Sequence, residues 1–390
     1  MFTLDAAPKD KIFGLIEQYE ADTRTDKVNL TNGVYKDETD QVPVLDAVKR
    51  AEERIWAAEK TKVYLGIAGD TQYRQQVLDL TLGADNHPQF DVMQAPGGTG
   101  ALRILAEFIR QHTPDATIWI SNPTWANHHA IFNTAGLRTS DYAYYNKTQH
   151  CLAFDNMMTD LDTMKAGDYL LLHAVCHNPT GADLNPDQWD TISECLHAKG
   201  VALILDCAYA GFAQGIDEDM AIIRYFVRQG HDVFIANSFS KNFGLYNERT
   251  GALCVMLNDK NMIANVVSHL KKIVRAMYSN PPAHGAKIVA TILSDAALRQ
   301  VWHEDLNMMN QRLHQIRQVF ATQLSEQTGQ DFNYIRAQNG LFSSIDCSVA
   351  QAQALREDHG VYILDSGRIN VAGINQHNLD KIGKSITAVY

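Results

Sequence analysis

Short, continuous apolar runs recur along this chain. Each is followed by a polar or glycine-rich segment and then by a stretch of helical periodicity. The runs fall at 92–95, 117–120, 169–175, 201–205, 233–236 and 252–257. Runs that are apolar at nearly every position read as strands buried on both faces. Their alternation with amphipathic helices predicts a mainly parallel sheet covered on both sides, an α/β architecture. In such sheets ligands bind beyond the carboxyl ends of the strands. The polar residues of most chemical interest stand at those ends. Pro96-Gly97-Gly98-Thr99-Gly100 follows the first run, Asn122-Pro123-Thr124-Trp125 the second and His177-Asn178-Pro179-Thr180-Gly181 the third. Asp206 and Tyr209 follow the fourth, and Ser238 to Lys241 the fifth.

The rest of the pattern is less regular. An amphipathic helix is expected at 12–20, after an N-terminal arm. A strand ending in a turn is expected at 28–35. Pro43-Val44-Leu45 is expected to open a helix running through Glu59, since a first-turn proline forgoes only an N–H that has no partner there. A long helix at 306–324 leads to a second unit with short strands near 341–345 and 368–371. No internal repeat and no low-complexity tract is visible.

With 390 residues the chain has room for about two or three domains at the usual ~150 residues each. A net charge of −11 argues against a nucleic-acid partner, while leaving room for a locally positive pocket. The six cysteines form no C-x-x-C pair and mostly lie in apolar runs, which reads as buried reduced thiols in the cytoplasm. The N-terminal segment carries early acids and no continuous apolar core, so it is not expected to be a secretory signal. No apolar stretch approaches the ~20 residues that span a bilayer.

The densest chemistry is Ser238-Phe239-Ser240-Lys241-Asn242-Phe243-Gly244-Leu245-Tyr246-Asn247-Glu248-Arg249. A desolvated or electrostatically tuned lysine forms a Schiff base with an aldehyde. Two hydroxyls and an arginine suit a phosphate, because the guanidinium fork matches phosphate oxygens. Taken alone, such a segment reads more readily as a surface lysine just past a strand and a salt-bridged arginine. Gly97-Gly98-Thr99 open a helical run and would offer free N–H groups to an anion; a plain strand-to-helix turn would look the same. Asp206 at a strand end is either a helix cap or a buried carboxylate facing a ligand. His173, Cys176 and His177 invite a metal reading. An i,i+4 pair running from strand into loop need not share a face, and no carboxylate is spaced to complete a set, so no metal is expected.

These motifs together, and nearly the whole length of the chain, resemble the aspartate and aromatic amino-acid aminotransferases of class I, fold type I of the pyridoxal-phosphate enzymes. The resemblance implies a large domain with a mainly parallel seven-stranded sheet between helices, plus a smaller α/β domain split in sequence. The arm would occupy 1–11, the small domain 12–43 and 309–390, and the large cofactor-binding domain 44–308. It implies pyridoxal 5′-phosphate held as a Schiff base by Lys241. Asp206 would face the ring nitrogen, with His128 behind it, and Tyr209 and Asn178 would face the ring oxygen. Trp125 would stack on the ring. The phosphate would rest on Gly97, Gly98, Thr99, Ser238, Ser240 and Arg249. Relatives often carry serine where Gly97 stands, so only its backbone contributes.

Arg368 corresponds to the arginine that clamps the substrate's α-carboxylate, Gly33 to the backbone closing over it, and Phe342 to a cavity-lining residue. Arg275 corresponds to the receiver of a side-chain carboxylate and Tyr64 to a phosphate ligand, both reaching across from a partner subunit, so a homodimer is implied. The implied activity is ping-pong transamination between amino acids and 2-oxo acids. Aromatic amino acids and aspartate are the expected donors, with glutamate and 2-oxoglutarate as the common pair. Asn32 beside Gly33 departs from the apolar residue usual there. The rivals are an aspartate aminotransferase with little aromatic activity, a lyase or decarboxylase on the same fold, and a non-enzymatic regulator. A nucleotide-dependent oxidoreductase lacks its G-x-G-x-x-G.

Overall fold

The computed structural model describes residues 2, 4, 6, 11–83 and 89–390. Most of the expected arm at 1–11 therefore lies outside the described residues. The centre is a seven-stranded sheet with strands β1 Phe90–Pro96, β2 Thr117–Asn122, β3 Arg138–Ala143, β4 Tyr169–His173, β5 Ala202–Cys207, β6 Val233–Ser238 and β7 Thr250–Met256. Their spatial order is β1-β7-β6-β5-β4-β2-β3. Only β7 runs antiparallel to its neighbours. The expected mainly parallel sheet is present.

Alternate residues of the inner strands enter different cores. Leu170, Leu172, Leu203, Leu205, Val233 and Ile235 face one side, packed with the helices Pro186–Lys199 and Ala221–Arg228. Leu171, Ile204, Phe234 and Ala236 face the other, packed with Gly97–His112 and Ile263–Met277. Burial on both faces explains why these strands are apolar at nearly every position before their carboxyl ends.

β3 was not expected. Its sequence, RTSDYA, sits at the sheet edge with one fully buried residue, Tyr142, so it carries no apolar run. The strand expected at 28–35 shrinks to Val28–Asn29, paired with Val361–Tyr362; at Leu30 the backbone bonding turns from Tyr362 to Asn370 and the ladder ends. Pro43 does not open a helix. The helix begins at Asp46, because Leu45 before it is still extended, with φ −61° and ψ 145°.

The helix Ala296–Thr328 is longer than its apolar spacing implied. Leu298, Trp302, Leu306, Met309 and Leu313 join the first core, whereas Ile316, Phe320 and Leu324 join a third. That third core gathers Val28 and Leu30 with Ile345, Val361, Ile369 and Ile382. It places the antiparallel pair Phe342–Ser344 and Arg368–Asn370 over the carboxyl edge of the main sheet.

Trp302 also explains how the lysine segment is held. It is fully buried, donates Nε1–H to the Asn242 carbonyl at 2.7 Å, and stacks on Phe243 with centroids 4.4 Å apart. Phe239 packs edge-on against Phe243 and Tyr73. Truncating a buried aromatic of this kind costs about 3–5 kcal/mol. The two phenylalanines anchor the backbone on either side of Lys241.

Candidate active site

The carboxyl edge of the sheet holds a cavity of about 170 Å³, lined among others by Gly98, Thr99, Trp125, Asn178, Tyr209 and Arg249. Asp206, Ser238, Ser240, Lys241 and His173 complete the polar part of its wall. It neighbours a cleft of about 650 Å³ that shares Trp125 and Asn178 and adds Arg368.

Lys241 Nζ lies over the ring of Tyr209, 4.9 Å from its centroid. Burial lowers the amine to about 8; Asp206 opposes this, while Arg249 and Arg368 add to it. Lys241 is therefore partly neutral at working pH, as an amine nucleophile must be. Burial pushes the Tyr209 phenol up, so it remains a hydrogen-bond donor.

Asp206 ends β5, in register with His173 at the end of β4. Burial would raise its carboxyl, but the hydrogen bond and charge of His128, helped by Lys241, bring it below the ordinary value. Its Oδ2 is 3.0 Å from His128 Nε2, and His128 Nδ1 is 2.8 Å from Thr124 Oγ1. His173 has both ring nitrogens buried without a partner, and burial holds it at about 3, hence neutral. The site thus presents one ionised carboxylate on a rigid strand, with an imidazole behind it. His129 points elsewhere, to Thr139 and Asp141 on the edge strand.

On the other side of the cavity, the helix Gly97–His112 starts with no side-chain cap. Its first N–H groups are left for an anion. A Cβ at Gly97 would lie 2.7 Å from the Arg249 guanidinium, and one at Gly98 3.2 Å from Ser238 Cβ. Glycine is what lets the arginine and serine close against the helix end. Ser238 Oγ, Ser240 Oγ and Arg249 Nη1 form a chain at 3.2 and 3.5 Å.

Arg368 is 4% exposed and has no carboxylate partner among the described residues. Burial lowers it to about 10, so it stays cationic at neutral pH. Nη2 donates to the Thr31 carbonyl at 2.5 Å and Nη1 to Asn178 Oδ1 at 3.4 Å, while Nε has no partner. The guanidinium lies over the Phe342 ring at 4.3 Å. Asn370 Nδ2 holds the carbonyls of Asn32 and Val34, on either side of Gly33. A buried cation with spare donors is costly unless an anion arrives.

These features fit pyridoxal 5′-phosphate: an uncapped helix end beside hydroxyls and a guanidinium, and a desolvated amine near an ionised carboxylate. Two of the expected residues are not brought here. Tyr64 is 86% exposed, and Arg275 is exposed and bonded to Ser279. Neither lines the cavity within one chain.

His173 was weighed only as a metal ligand, on sequence spacing. The sheet register instead sets it beside Asp206, and with His128 the three offer ligand atoms within 4.8 Å of one another. The spacing argument missed this because the carboxylate comes from a neighbouring strand. Leu15, Arg356 and Leu364 at the cleft mouth were also missed, since no local motif marks them.

Comparison with known proteins gives one answer. Residues 25–386 match the family described as aminotransferase class I and II. The aspartate aminotransferase of Escherichia coli (strain K12) is 44% identical, with 99% of each chain covered. The aromatic-amino-acid aminotransferase of the same organism is 41% identical, again over 99% of each. The solved aromatic-amino-acid aminotransferase of Burkholderia pseudomallei, covalently bound to pyridoxal phosphate, superposes with a TM-score of 0.96. It is 41% identical, and the match covers 99% of this chain and 98% of that one. The chain belongs to the class I and II aminotransferases.

Proposed function

We propose that this protein moves an amino group between amino acids and 2-oxo acids, with pyridoxal 5′-phosphate held at Lys241. The observation that carries this reading is the pairing of a buried, low-pKa lysine with an ionised aspartate inside an anion-binding cavity. When bound, the cofactor supplies an aldehyde that captures amines and a ring that accepts the electron pair left by a departing α-proton.

This chain's residues do the rest. Gly97, Gly98, Thr99, Ser238, Ser240 and Arg249 would hold the phosphate. Asp206, kept ionised, would hold a proton on the ring nitrogen. Asn178 and Tyr209 would donate to the ring oxygen, and Trp125 would cover the ring face. Arg368 would grip the substrate α-carboxylate, with Gly33 and Phe342 closing around it. Lys241 Nζ would take the proton from the substrate α-carbon and deliver it to the C4′ carbon of the cofactor, across the amino nitrogen, base and then acid.

Aromatic amino acids and aspartate are the proposed donors, with 2-oxoglutarate as acceptor. Leu15, Pro123, Trp125 and Leu364 give the 650 Å³ cleft apolar walls suited to a ring. Arg275 and Tyr64 would serve the site of a second copy of the chain. The exposed apolar side chains near them, Trp56, Val63 and Met277, support such a homodimer. We further read 12–43 and 309–390 as one small domain and 44–308 as the cofactor domain. Six unpaired cysteines fit the cytoplasm.

The direct test is to mix purified protein with phenylalanine or aspartate plus 2-oxoglutarate and measure glutamate. Ammonia or carbon dioxide in its place would favour a lyase or decarboxylase. Arg275→Ala should lower kcat/KM for aspartate by about 30-fold or more, the worth of a lost charge pair of ~2 kcal/mol, and spare phenylalanine. Equal losses would remove Arg275 from side-chain recognition.

The amine also sets a pH dependence. Cofactor capture needs neutral Lys241, and the neutral fraction rises with pH until the amine is fully deprotonated. Colour formation in cofactor-free protein should therefore speed up with pH and level off above about 8. A rate still climbing toward 10.5 would mean the lysine is not desolvated.

A further inference from the structure

Phe342 is the point where the carboxylate side of the site converges. Its ring lies under the Arg368 guanidinium at 4.3 Å and edge-on to Tyr209 at 5.8 Å. A Cβ on Gly33 would approach its Cζ to 3.1 Å. The ring therefore touches the proposed carboxylate grip, its closing backbone and the tyrosine beside Lys241. What fixes that ring matters to all three.

The answer is a buried cation that no motif marked. Arg317, on the long helix Ala296–Thr328, is 1% exposed. Its Nη2 donates to the carbonyls of Phe342 at 2.7 Å, Gly340 at 2.8 Å and Asn339 at 3.1 Å. Its Nη1 donates to Ser343 Oγ and, at 3.4 Å, to the Ile335 carbonyl. Among the described residues no carboxylate forms an ion pair with it. The half-buried Asp183 is engaged by His177 N and Asn339 Nδ2, each at 3.0 Å.

The same loop is clasped from the opposite side by the segment that carries Asn178. Asn339 N donates to Gly181 O at 2.7 Å, and a Cβ on Gly181 would lie 2.6 Å from the Phe342 carbonyl. Residues 339–342 are thus pinned between the Asn178 loop and Arg317. Burying a guanidinium with no carboxylate in contact is expensive, even with Asp183 acting on it from a distance, and a hydrophobic residue of similar size often replaces such a group without loss of stability. A planar fork reaching several carbonyls at once fixes position in a way that a lysine or an apolar side chain does not.

We propose that Arg317 is a positioning residue for substrate carboxylate recognition. It holds the backbone of Phe342 so that the ring supports the Arg368 guanidinium and meets Gly33. The proposal rests on Arg368 being the carboxylate grip. It concerns substrate affinity, not the capture of the cofactor, because Arg317 touches none of the residues assigned to hold phosphate or ring.

The test uses holoenzyme carrying Arg317→Lys, which keeps the charge and loses the fork, and Phe342→Ala, singly and together. Succinate, which has the carboxylates but no amino group, serves as the binding probe. Arg317→Lys should raise the succinate Kd and the amino-acid KM by about 10- to 100-fold, as small misplacements do. The cofactor Kd and the visible spectrum should stay within about twofold, below the resolution of such energetic arguments. In the Phe342→Ala background the further loss from Arg317→Lys should nearly vanish, since both changes act through one ring. Unchanged succinate affinity, a parallel loss of cofactor binding, or additive penalties in the double variant would each overturn the proposal. Wild-type holoenzyme that binds no succinate would overturn the reading of Arg368, and this proposal with it.

Discussion

Lys241→Ala is expected to lower turnover by on the order of 10⁴-fold, the upper end of what a positioned proton carrier contributes. Lys241 is the one lysine among the described residues lining the inner cavity, so no other amine can substitute. His173, also in the wall, has its basicity pressed down to about 3 and makes a poor base. Folding should not be the cause of the loss. In the cofactor-free protein the lysine is bound less well when charged. That penalty is fully present below about 8 and fades as pH rises toward 10.5. At neutral pH the alanine variant should therefore melt no lower than wild type. Phe239, Phe243 and Trp302, which hold the segment, are untouched. Glutamate formation and thermal melting check the two halves. Turnover within tenfold of wild type would remove Lys241 from the reaction.

Arg368→Leu should cost every amino-acid substrate about 2–5 kcal/mol in kcat/KM, roughly 30-fold to several thousand-fold. The uniformity is the diagnostic part. The α-carboxylate is common to all donors, so aspartate and phenylalanine should lose alike, unlike the selective effect expected at Arg275. The cofactor-free fold should tolerate the change, because it removes a buried cation whose Nε has no partner. Kinetics on both donors with melting curves would show this. A loss confined to aspartate would exchange the roles of the two arginines.

Much of this was legible along the chain, and the reason is burial. β4, β5 and β6 are covered on both faces, so each announces itself as an apolar run, and parallel order sends the polar ends to one edge. That is why Asp206, Ser238 and Lys241 were found together. β3 stayed hidden because an edge strand needs few apolar residues. Pro43 misled because the chain stays extended through Leu45, and the helix starts only at Asp46.

Register was the other blind spot. His173 opposes Asp206 only once β4 and β5 are paired. Arg317 lies between Leu313 and Phe320 on the core-facing stripe of a helix, and an arginine there is a signal that periodicity offers. Its acceptors, four backbone carbonyls and the Ser343 hydroxyl, come from residues 335–343, which periodicity does not reveal. Tyr64 and Arg275 carried family resemblance and lie on the exposed surface of the single chain.

The most direct measurement is the visible spectrum of purified protein incubated with pyridoxal 5′-phosphate, followed by borohydride reduction and mass mapping of the labelled peptide. A coloured complex, fixed by reduction to Lys241, is the expected result. Protein that stays colourless, or a label on any other lysine, would contradict the account.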